Sequence, residues 1–277
     1  MQLKIIKHDL AVGIFSNILI CLECLLKKKK NEILYFEFKN INYSNKFNVW
    51  EKFLHQPFQE YEDLIAKKIK EKNYIIEYNQ RYGGLKFDHT NNKKLDIYYN
   101  KEYINTLRKV FKKFIIFKKK IVDRSHKFQN AHLNNKTLGI HIRGGDRFDV
   151  QGHYANKRHL FTFENNIKPI VAKKIRINKY KNIFLATDEK FFYDKLKKNF
   201  KKKNIKISSP VNKKNLFQLD YVYSNEKSKT ILGENAIIDS IILSKCNYSL
   251  LSRSNLSITS ILLRDDYNFY FLDEHLL

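Results

Sequence analysis

The run Gly139-Ile-His-Ile-Arg-Gly-Gly-Asp-Arg147 holds the most concentrated chemistry in the chain. His141 and Arg143 stand two apart in a stretch with strand alternation, so their side chains leave the same face. The stretch ends in Gly144-Gly145, where a backbone without Cβ atoms lets a ligand approach closely. An arginine at the carboxyl end of a parallel strand sits where open α/β sheets bind ligands. Its planar guanidinium suits a diphosphate held by two parallel hydrogen bonds. The same residues also fit a plain strand-end turn, with His141 in the core and Arg143 paired to Asp146.

Two other blocks belong to the same chemistry. Phe184-Leu-Ala-Thr-Asp-Glu189 is a strand that delivers Thr187 and Asp188 to its carboxyl end. A helix N-cap accounts for Asp188 equally well. From Asn235 to Ser260, Asp239 interrupts an apolar helix, and a short strand then leads into the turn Ser252-Arg-Ser-Asn-Leu-Ser257 and a further helix. Hydroxyls and unused backbone N–H groups at a helix start form an anion site. Asp239 on an apolar face needs a donor, which a guanine edge with its two N–H groups or a nearby lysine would supply.

Other reactive residue types read as structure. Cys21 and Cys24 form a C-x-x-C inside an apolar helical run with no partner pair, which indicates core packing rather than redox or metal chemistry. His153 and His159 fall in a polar stretch, Tyr82-Gly83-Gly84 reads as a turn, and Trp50 reads as a core or domain-interface residue rather than a sugar platform. There is no Asp-x-Asp motif and no His/Cys cluster at ligand spacing, so no metal is expected.

The elements that must position these residues alternate between strand and helix, which indicates an α/β chain. Leu3–Lys7 is a strand. Gly13 opens a helix with Ile18, Leu19, Leu22, Leu25 and Leu26 at helical spacing, and Ile33–Phe38 is the next strand. Tyr61–Lys72 and Asn105–Lys120 read as amphipathic helices, with no strand order assignable between about 50 and 135. Strands follow at Leu138–Arg143, Asn182–Ala186, Ile205–Ser208, Tyr248–Ser252 and Asn268–Leu272. The helices between them include one with Phe191, Phe192, Leu196 and Phe200 on its apolar side, then Glu234–Lys245 and Leu256–Leu263. The most polar boundary runs through Ser125–Lys136, which divides the chain into residues 1–130 and 131–277.

Composition bounds the partners. In 277 residues, 43% hydrophobic content excludes whole-chain disorder, and three cysteines cannot build a disulfide scaffold, so a reducing, cytoplasmic setting is expected. Lys+Arg 53 against Asp+Glu 28 gives a net charge of +25. Such a surplus points to nucleic acid, an anionic membrane surface or an anionic substrate. Only nine of the basic residues are Arg, and Lys runs such as Lys27–Lys30 read as solvated faces rather than as a phosphate-reading groove. The longest apolar stretch, Ala11–Leu26, is interrupted by Ser16, Asn17 and Glu23 and is too short to span a bilayer.

In their order and spacing the three blocks resemble the motifs of the GDP-fucose-dependent fucosyltransferase superfamily, which includes α1,2-, α1,6- and protein O-fucosyltransferases. His141-Ile-Arg143-Gly-Gly-Asp146 matches its HxRxxD motif. Ala186-Thr-Asp188-Glu189 is similar to the strand end of the α1,6 branch, and Ile238-Asp239 through Ser254-Asn255 matches the third motif. Gly13-Ile-Phe-Ser-Asn17 is similar to the family's glycine loop. The resemblance implies a GT-B-like fold of two Rossmann-like domains facing a cleft, the N-terminal one for the acceptor and the C-terminal one for the nucleotide sugar. It implies that Arg143 binds the β-phosphate, that His141 supports that site, and that Asp239 reads the base with Asp188 on the nucleotide side. Ser254 and Asn255 would contact phosphate, and Gly13, Phe15 and Ser16 would line the cleft. Gly144 stands where most relatives carry a second arginine, for which Arg147 or Arg253 would substitute. Gln151 replaces the glutamate of the α1,6 branch, which leaves Asp149 or Asp146 to take the acceptor's proton.

The implied activity is metal-independent, inverting transfer of fucose from GDP-fucose to a glycan hydroxyl, with a lipid-linked or polysaccharide acceptor and peripheral contact with an anionic membrane. The alternatives are a transferase of the same fold using another deoxysugar nucleotide, a nucleotide-sugar binder without turnover, and a non-enzymatic polyanion- or RNA-binding protein.

Overall fold

The computed structural model describes residues 1–9, 13–39, 47–79, 99–134, 136–143, 163–200, 205–209 and 226–272. The chain divides into two compact units: Met1–Ile121 with Tyr223–Glu234, and Val122–Val222 with Asn235–Leu277.

The first unit is built on β1 (Gln2–His8), α1 (Ile14–Lys27), β2 (Glu32–Phe38) and β3 (Ile75–Tyr78), whose strands form a parallel sheet in the order β2-β1-β3. The helical spacing expected after Gly13 appears as α1, which buries Ile18, Leu19 and Leu22 against the sheet unit while Leu26 turns outward at 37% exposure. Trp50, in α2 (Val49–Phe53), is fully buried against Phe36 and Phe38 at ring distances of 5.1 and 5.8 Å. It is therefore core. The outer edge of β2 is closed by side-chain amides, which answers the backbone groups an edge strand leaves open. Asn48 accepts from the Phe38 amide at 3.1 Å and donates to Phe36 O at 2.7 Å, and Gln56 donates to the same carbonyl at 2.9 Å.

One expectation about the middle of the chain needs correction. The helix expected over Tyr61–Lys72 is present as α3 over Glu62–Lys70, behind a short 3₁₀ turn, but Asn105–Lys120 is not one helix. Helix α4 (Lys101–Phe114) stops there, and α5 (Lys119–His132) begins after a break. The β-branched and aromatic run Ile115-Ile116-Phe117 leaves the helix because the backbone finds partners elsewhere: Phe117 bridges Leu54, and Lys118 N donates to Phe53 O at 2.9 Å. The polar stretch beginning at Ser125 is helical as far as His132, with Ile121 and Ser125 buried. Its polarity marks a solvated helix face.

The second unit holds five parallel strands in the order β6-β5-β4-β7-β8: β4 (Thr137–Ile142), β5 (Asn182–Thr187), β6 (Lys206–Ser208), β7 (Tyr248–Leu251) and β8 (Phe269–Phe271). The intervening helices are α6 (Lys168–Asn178), α7 (Lys190–Phe200), α8 (Glu226–Lys245, which starts in the first unit) and α9 (Asn255–Leu263). In α7, Phe192, Leu196 and Phe200 are buried at i, i+4 spacing, whereas Phe191 is 53% exposed, so it does not belong to the apolar side expected for it.

β4 is buried along its whole length, as a central parallel strand must be. Leu138, Ile140 and Ile142 enter one core together with Phe163, Ile167 and Leu185. The opposite face carries Gly139 and His141. A Cβ on Gly139 would lie 3.0 Å from both Cys246 Cβ and Ser249 Oγ, so the missing side chain lets the end of α8 and the strand β7 pack against β4.

Candidate active site

The strand order creates a switch point. From β4 the chain moves outward through β5 and β6, then returns to lay β7 on the other side of β4. Ligands of open α/β sheets bind outside the carboxyl ends of the strands at such a reversal. The segments that leave β4 and β7 there are Arg143 and Ser252-Arg253-Ser254. Arg143 and Ser252, 109 positions apart in sequence, meet because β4 and β7 pair in parallel, with His141 opposite Leu251.

The junction is tied by hydrogen bonds. Ser252 N donates to His141 O at 2.9 Å, and Arg143 N donates to Ser252 Oγ at 3.2 Å, which carries the ladder one step beyond the strands. Ser254 is the N-cap of α9: its Oγ accepts from Ser257 N at 3.1 Å. The first amides of a helix are not used within it, and its dipole favours an anion there. The imidazole of His141 is 5% exposed, and its Nδ1 lies 2.7 Å from Ser257 Oγ. Ser257 Oγ in turn donates to Ser252 O at 2.5 Å. Arg253, in the same turn, is 3% exposed, while Arg143 is half-buried. Two guanidinium-bearing residues, a capped helix start and a buried imidazole thus converge on one sheet edge. That set is chemically matched to a diphosphate.

Of the residues expected from the sequence, the structure brings His141, Arg143, Ser254 and Asn255 together at this junction. Asp188 follows β5, whose Thr187 pairs with Ile142, so it occupies the neighbouring position on the same edge and is exposed. Asp239 is buried on α8. It lies six residues before the end of that helix, about 9 Å along its axis, and Ser249 Oγ bonded to Leu243 O at 3.0 Å fixes the helix end beside the start of β7. Asp239 is thereby raised toward the carboxyl side of the sheet. Asp146 and Asp149 lie outside the described residues, as do Gly144, Gly145, Arg147, Gln151, His153, His159 and Tyr82-Gly83-Gly84.

In the first unit, Gly13 caps α1 at the carboxyl edge of its own sheet, with Gly13 exposed, Ser16 half-buried and Phe15 packed inside at 7% exposure. Asn17, next in the same turn, is fully buried, and neither polar atom of its amide has a hydrogen-bond partner among the described residues. A polar hollow elsewhere in this unit is internally neutralised, with Lys4 paired to Glu32 at 2.9 Å and to Glu77 at 3.7 Å. Reasoning from sequence placed Ser252 and Ser257 in the serine-rich turn and Asn17 in the glycine loop, but assigned none of the three an individual role. The Ser-x-x-Ser spacing from Ser254 to Ser257 is the one local signal that marks a cap and its third helical residue.

The support beneath the junction is a clamp. Arg264, 2% exposed, ends α9 and reaches the end of α8: its guanidinium donates to Leu243 O at 3.0 Å, Ser249 Oγ at 3.0 Å and Cys246 O at 2.9 Å. It also pairs with Asp266 at 2.7 Å. Burial alone would raise the Asp266 carboxyl, but bonds from Arg264 and Asn268 outweigh it and hold the group below its ordinary value. Burial pushes the Cys246 thiol up to about 12, the Cys24 thiol to about 11, and the Cys21 thiol well above its usual range.

No protein-family model matches the chain, and no curated protein matches it in sequence. Solved structures match it in fold. Fucosyltransferase NodZ from Bradyrhizobium superposes with a TM-score of 0.58 at 13% identity, over 95% of this chain and 94% of that one. POFUT1 in complex with GDP-fucose gives 0.51 at 11% identity, over 97% and 98%. A mutant of Arabidopsis thaliana FUT1 in complex with GDP gives 0.55 at 9% identity, over 97% and 72%. The chain therefore has the GT-B-like α/β fold of solved fucosyltransferases, as the resemblance of its motifs implied.

Proposed function

We propose that the protein is a glycosyltransferase that moves fucose from GDP-fucose to the hydroxyl of a glycan. The observation that carries this reading is the β4–β7 junction, where Arg143, His141 and the Ser254-capped start of α9 meet at the switch point of a parallel sheet. The shared fold with POFUT1 in complex with GDP-fucose supports the choice of donor.

In this reading the diphosphate rests on the amides at the start of α9 and on the Arg143 guanidinium. Departure of GDP leaves charge on the β-phosphate, and donors already aimed there stabilise it as it forms. The acceptor oxygen forms its bond to the anomeric carbon from the face opposite the leaving phosphate, which inverts the centre. The acceptor's proton passes to Asp149 or Asp146. Asp239 reads the guanine edge, and Asp188 lies on the nucleotide side. The cationic donors take the electrostatic role that a divalent metal has in other transferases, so the reaction is proposed to be metal-independent. A lipid-linked or polysaccharide acceptor would bring the Lys-rich surface to an anionic membrane.

Thermal-shift measurement against GDP, UDP, CDP, ADP and their sugars tests the proposal. Ligand at a hundred times its dissociation constant stabilises by about 2.7 kcal/mol, or roughly 5–10 °C for a chain of this size. Stabilisation confined to guanine nucleotides and abolished in Arg143→Ala is expected. A flat response to all four, with steeply salt-dependent binding of RNA, would instead favour the polyanion-binding alternative.

A further inference from the structure

We propose that the amino edge of the second unit's sheet docks on an anionic membrane surface through Lys136, Arg176, Lys179, Lys181, Lys206 and Lys245, with Ile177 entering the bilayer. This locates the membrane contact named above at the end of the sheet opposite the β4–β7 junction. It does not depend on the identity of the donor.

In a parallel sheet with helical crossovers, strand starts and helix ends collect on one edge. Here backbone bonds tie them into a row. Lys181 N donates to Lys136 O at 3.4 Å, and Lys206 N donates to Lys181 O at 3.0 Å, so the entries to β4, β5 and β6 are consecutive neighbours. On the other side of β4, Asn247 N donates to Thr137 O at 3.1 Å and Thr137 N donates to Asn247 Oδ1 at 2.9 Å. These bonds set Lys245, the last residue of α8, beside the same edge. Helix α6 ends there too. Lys174 Nζ stands 3.6 Å from the centre of the Tyr248 ring at the start of β7, and residues 176–181 lead directly into β5. All six basic residues are exposed, and among the described residues none of the six enters an ion pair. Asp265 and Asp266 precede β8 at the far end of the row, and Asp266 is bonded to Arg264 and Asn268. Glu164 is paired with Lys168 and Lys195 at the opposite end of α6.

Helix chemistry accounts for part of this row. A cation at a helix C-terminus answers the dipole, which covers Arg176 and Lys245. A sheet carries only a small net dipole, so Lys136, Lys181 and Lys206 gain little from theirs. Lys136 and Lys181 stand side by side, one residue ahead of the Thr137–Asn182 pair, and like charges on adjacent strands repel. A polyanion laid along the edge removes that cost. The residue types select the polyanion. Lysine, the commoner residue here, is a hydrated point charge without the guanidinium's planar fork. Single-stranded nucleic acid is held on exposed aromatic rings, but Tyr180 is buried and Tyr248 lies against the Lys174 ammonium. The exposed apolar group is aliphatic: Ile177 is 60% exposed between Arg176 and Lys179. Lysines around an aliphatic side chain match a layer of anionic headgroups over hydrocarbon.

With this edge on a bilayer, the carboxyl ends of the strands stand about 20 Å from the headgroups, the length of the six-residue β4. Under the function proposed above, the acceptor hydroxyl is then one carried on an extended glycan chain.

Co-sedimentation of the full chain with phosphatidylserine–phosphatidylcholine vesicles, against vesicles of phosphatidylcholine alone, tests the proposal. The wild-type protein should bind the anionic vesicles only, and less as salt is raised. A variant combining Lys136→Gln, Lys181→Gln, Lys206→Gln and Lys245→Gln should bind at least about fiftyfold more weakly, since each lysine near an anionic surface is worth about fivefold. A charge-matched control in the first unit, combining Lys29→Gln, Lys30→Gln, Lys70→Gln and Lys72→Gln, should stay within about fivefold of wild type. Ile177→Ser, which removes aliphatic area and no charge, should weaken binding by about tenfold. The replaced side chains are all exposed, and melting temperatures near that of wild type show that each variant is folded. Absence of binding to anionic vesicles, an equal loss in the control, or unaltered binding by Ile177→Ser each overturns the proposal. RNA binding that falls with the four edge lysines while vesicles stay unbound would assign the edge to nucleic acid instead. A flat nucleotide screen together with edge-dependent vesicle binding would overturn the donor assignment and leave this face standing.

Discussion

Replacing Arg264 with methionine should weaken the second unit without touching any residue proposed to meet the donor. The substitution keeps an unbranched stem of similar reach and removes the guanidinium's donors. Leu243 O keeps the Ser249 hydroxyl at 3.0 Å, so it is not orphaned. Cys246 O loses the guanidinium N–H at 2.9 Å, and Ser249 Oγ loses the one at 3.0 Å. Asp266 is half-exposed and can return to water, so its side of the ion pair counts for little. Two charge-assisted bonds to buried acceptors are then the main loss, about 3 kcal/mol, or roughly 6–12 °C in melting temperature for a chain of this size. The assay is thermal denaturation followed by far-ultraviolet circular dichroism, with Arg264→Lys as an intermediate case because one ammonium cannot reach all the acceptors. An Arg264→Met protein melting within about 2 °C of wild type would refute this reasoning.

The other predictions are narrower. Because the Asp266 carboxyl is held below its ordinary value in the folded state, it contributes stability that is present at neutral pH and lost as pH falls through and below about 4; the stability gap between wild type and Asp266→Asn should therefore close on acidification, as read by urea titration across pH. Gly139→Ala forces a methyl to within 3.0 Å of Cys246 Cβ and Ser249 Oγ and should cost about 1–3 kcal/mol in the same denaturation assay. Native protein should react slowly with a thiol-specific chromogenic disulfide, since burial raises all three thiols above their usual range, and full reaction should need denaturant.

Much of the second unit was legible because its segments announce themselves locally. β4 alternates and is followed in sequence by Arg143 and two glycines, β7 is short and apolar before a serine-rich turn, and α9 starts with a recognisable cap. What local pattern cannot supply is adjacency. That β7 returns to pair with β4 is a long-range choice, and it alone turns separate motifs into one edge. The hydroxyl relay from Ser252 through Ser257 to His141 was hidden for the same reason, since 116 positions separate Ser257 from His141. In the first unit, the Ile115–Phe117 break defeated periodicity reasoning. The lysines and phenylalanines on either side keep a helical rhythm, and the partners that pull the chain out of the helix, Phe53 and Leu54, lie far upstream. β3 escaped notice because it is short and exposed along its length, with no buried face to impose alternation.

The central claim is a location, and a crystal structure of the protein with GDP tests it most directly. The diphosphate should lie at the junction of β4 and β7, within hydrogen-bonding distance of the Arg143 guanidinium and of the amides that open α9, with the guanine edge toward Asp239. Nucleotide bound on the sheet edge of the first unit, or on the amino side of the β4–β7 sheet, would contradict it.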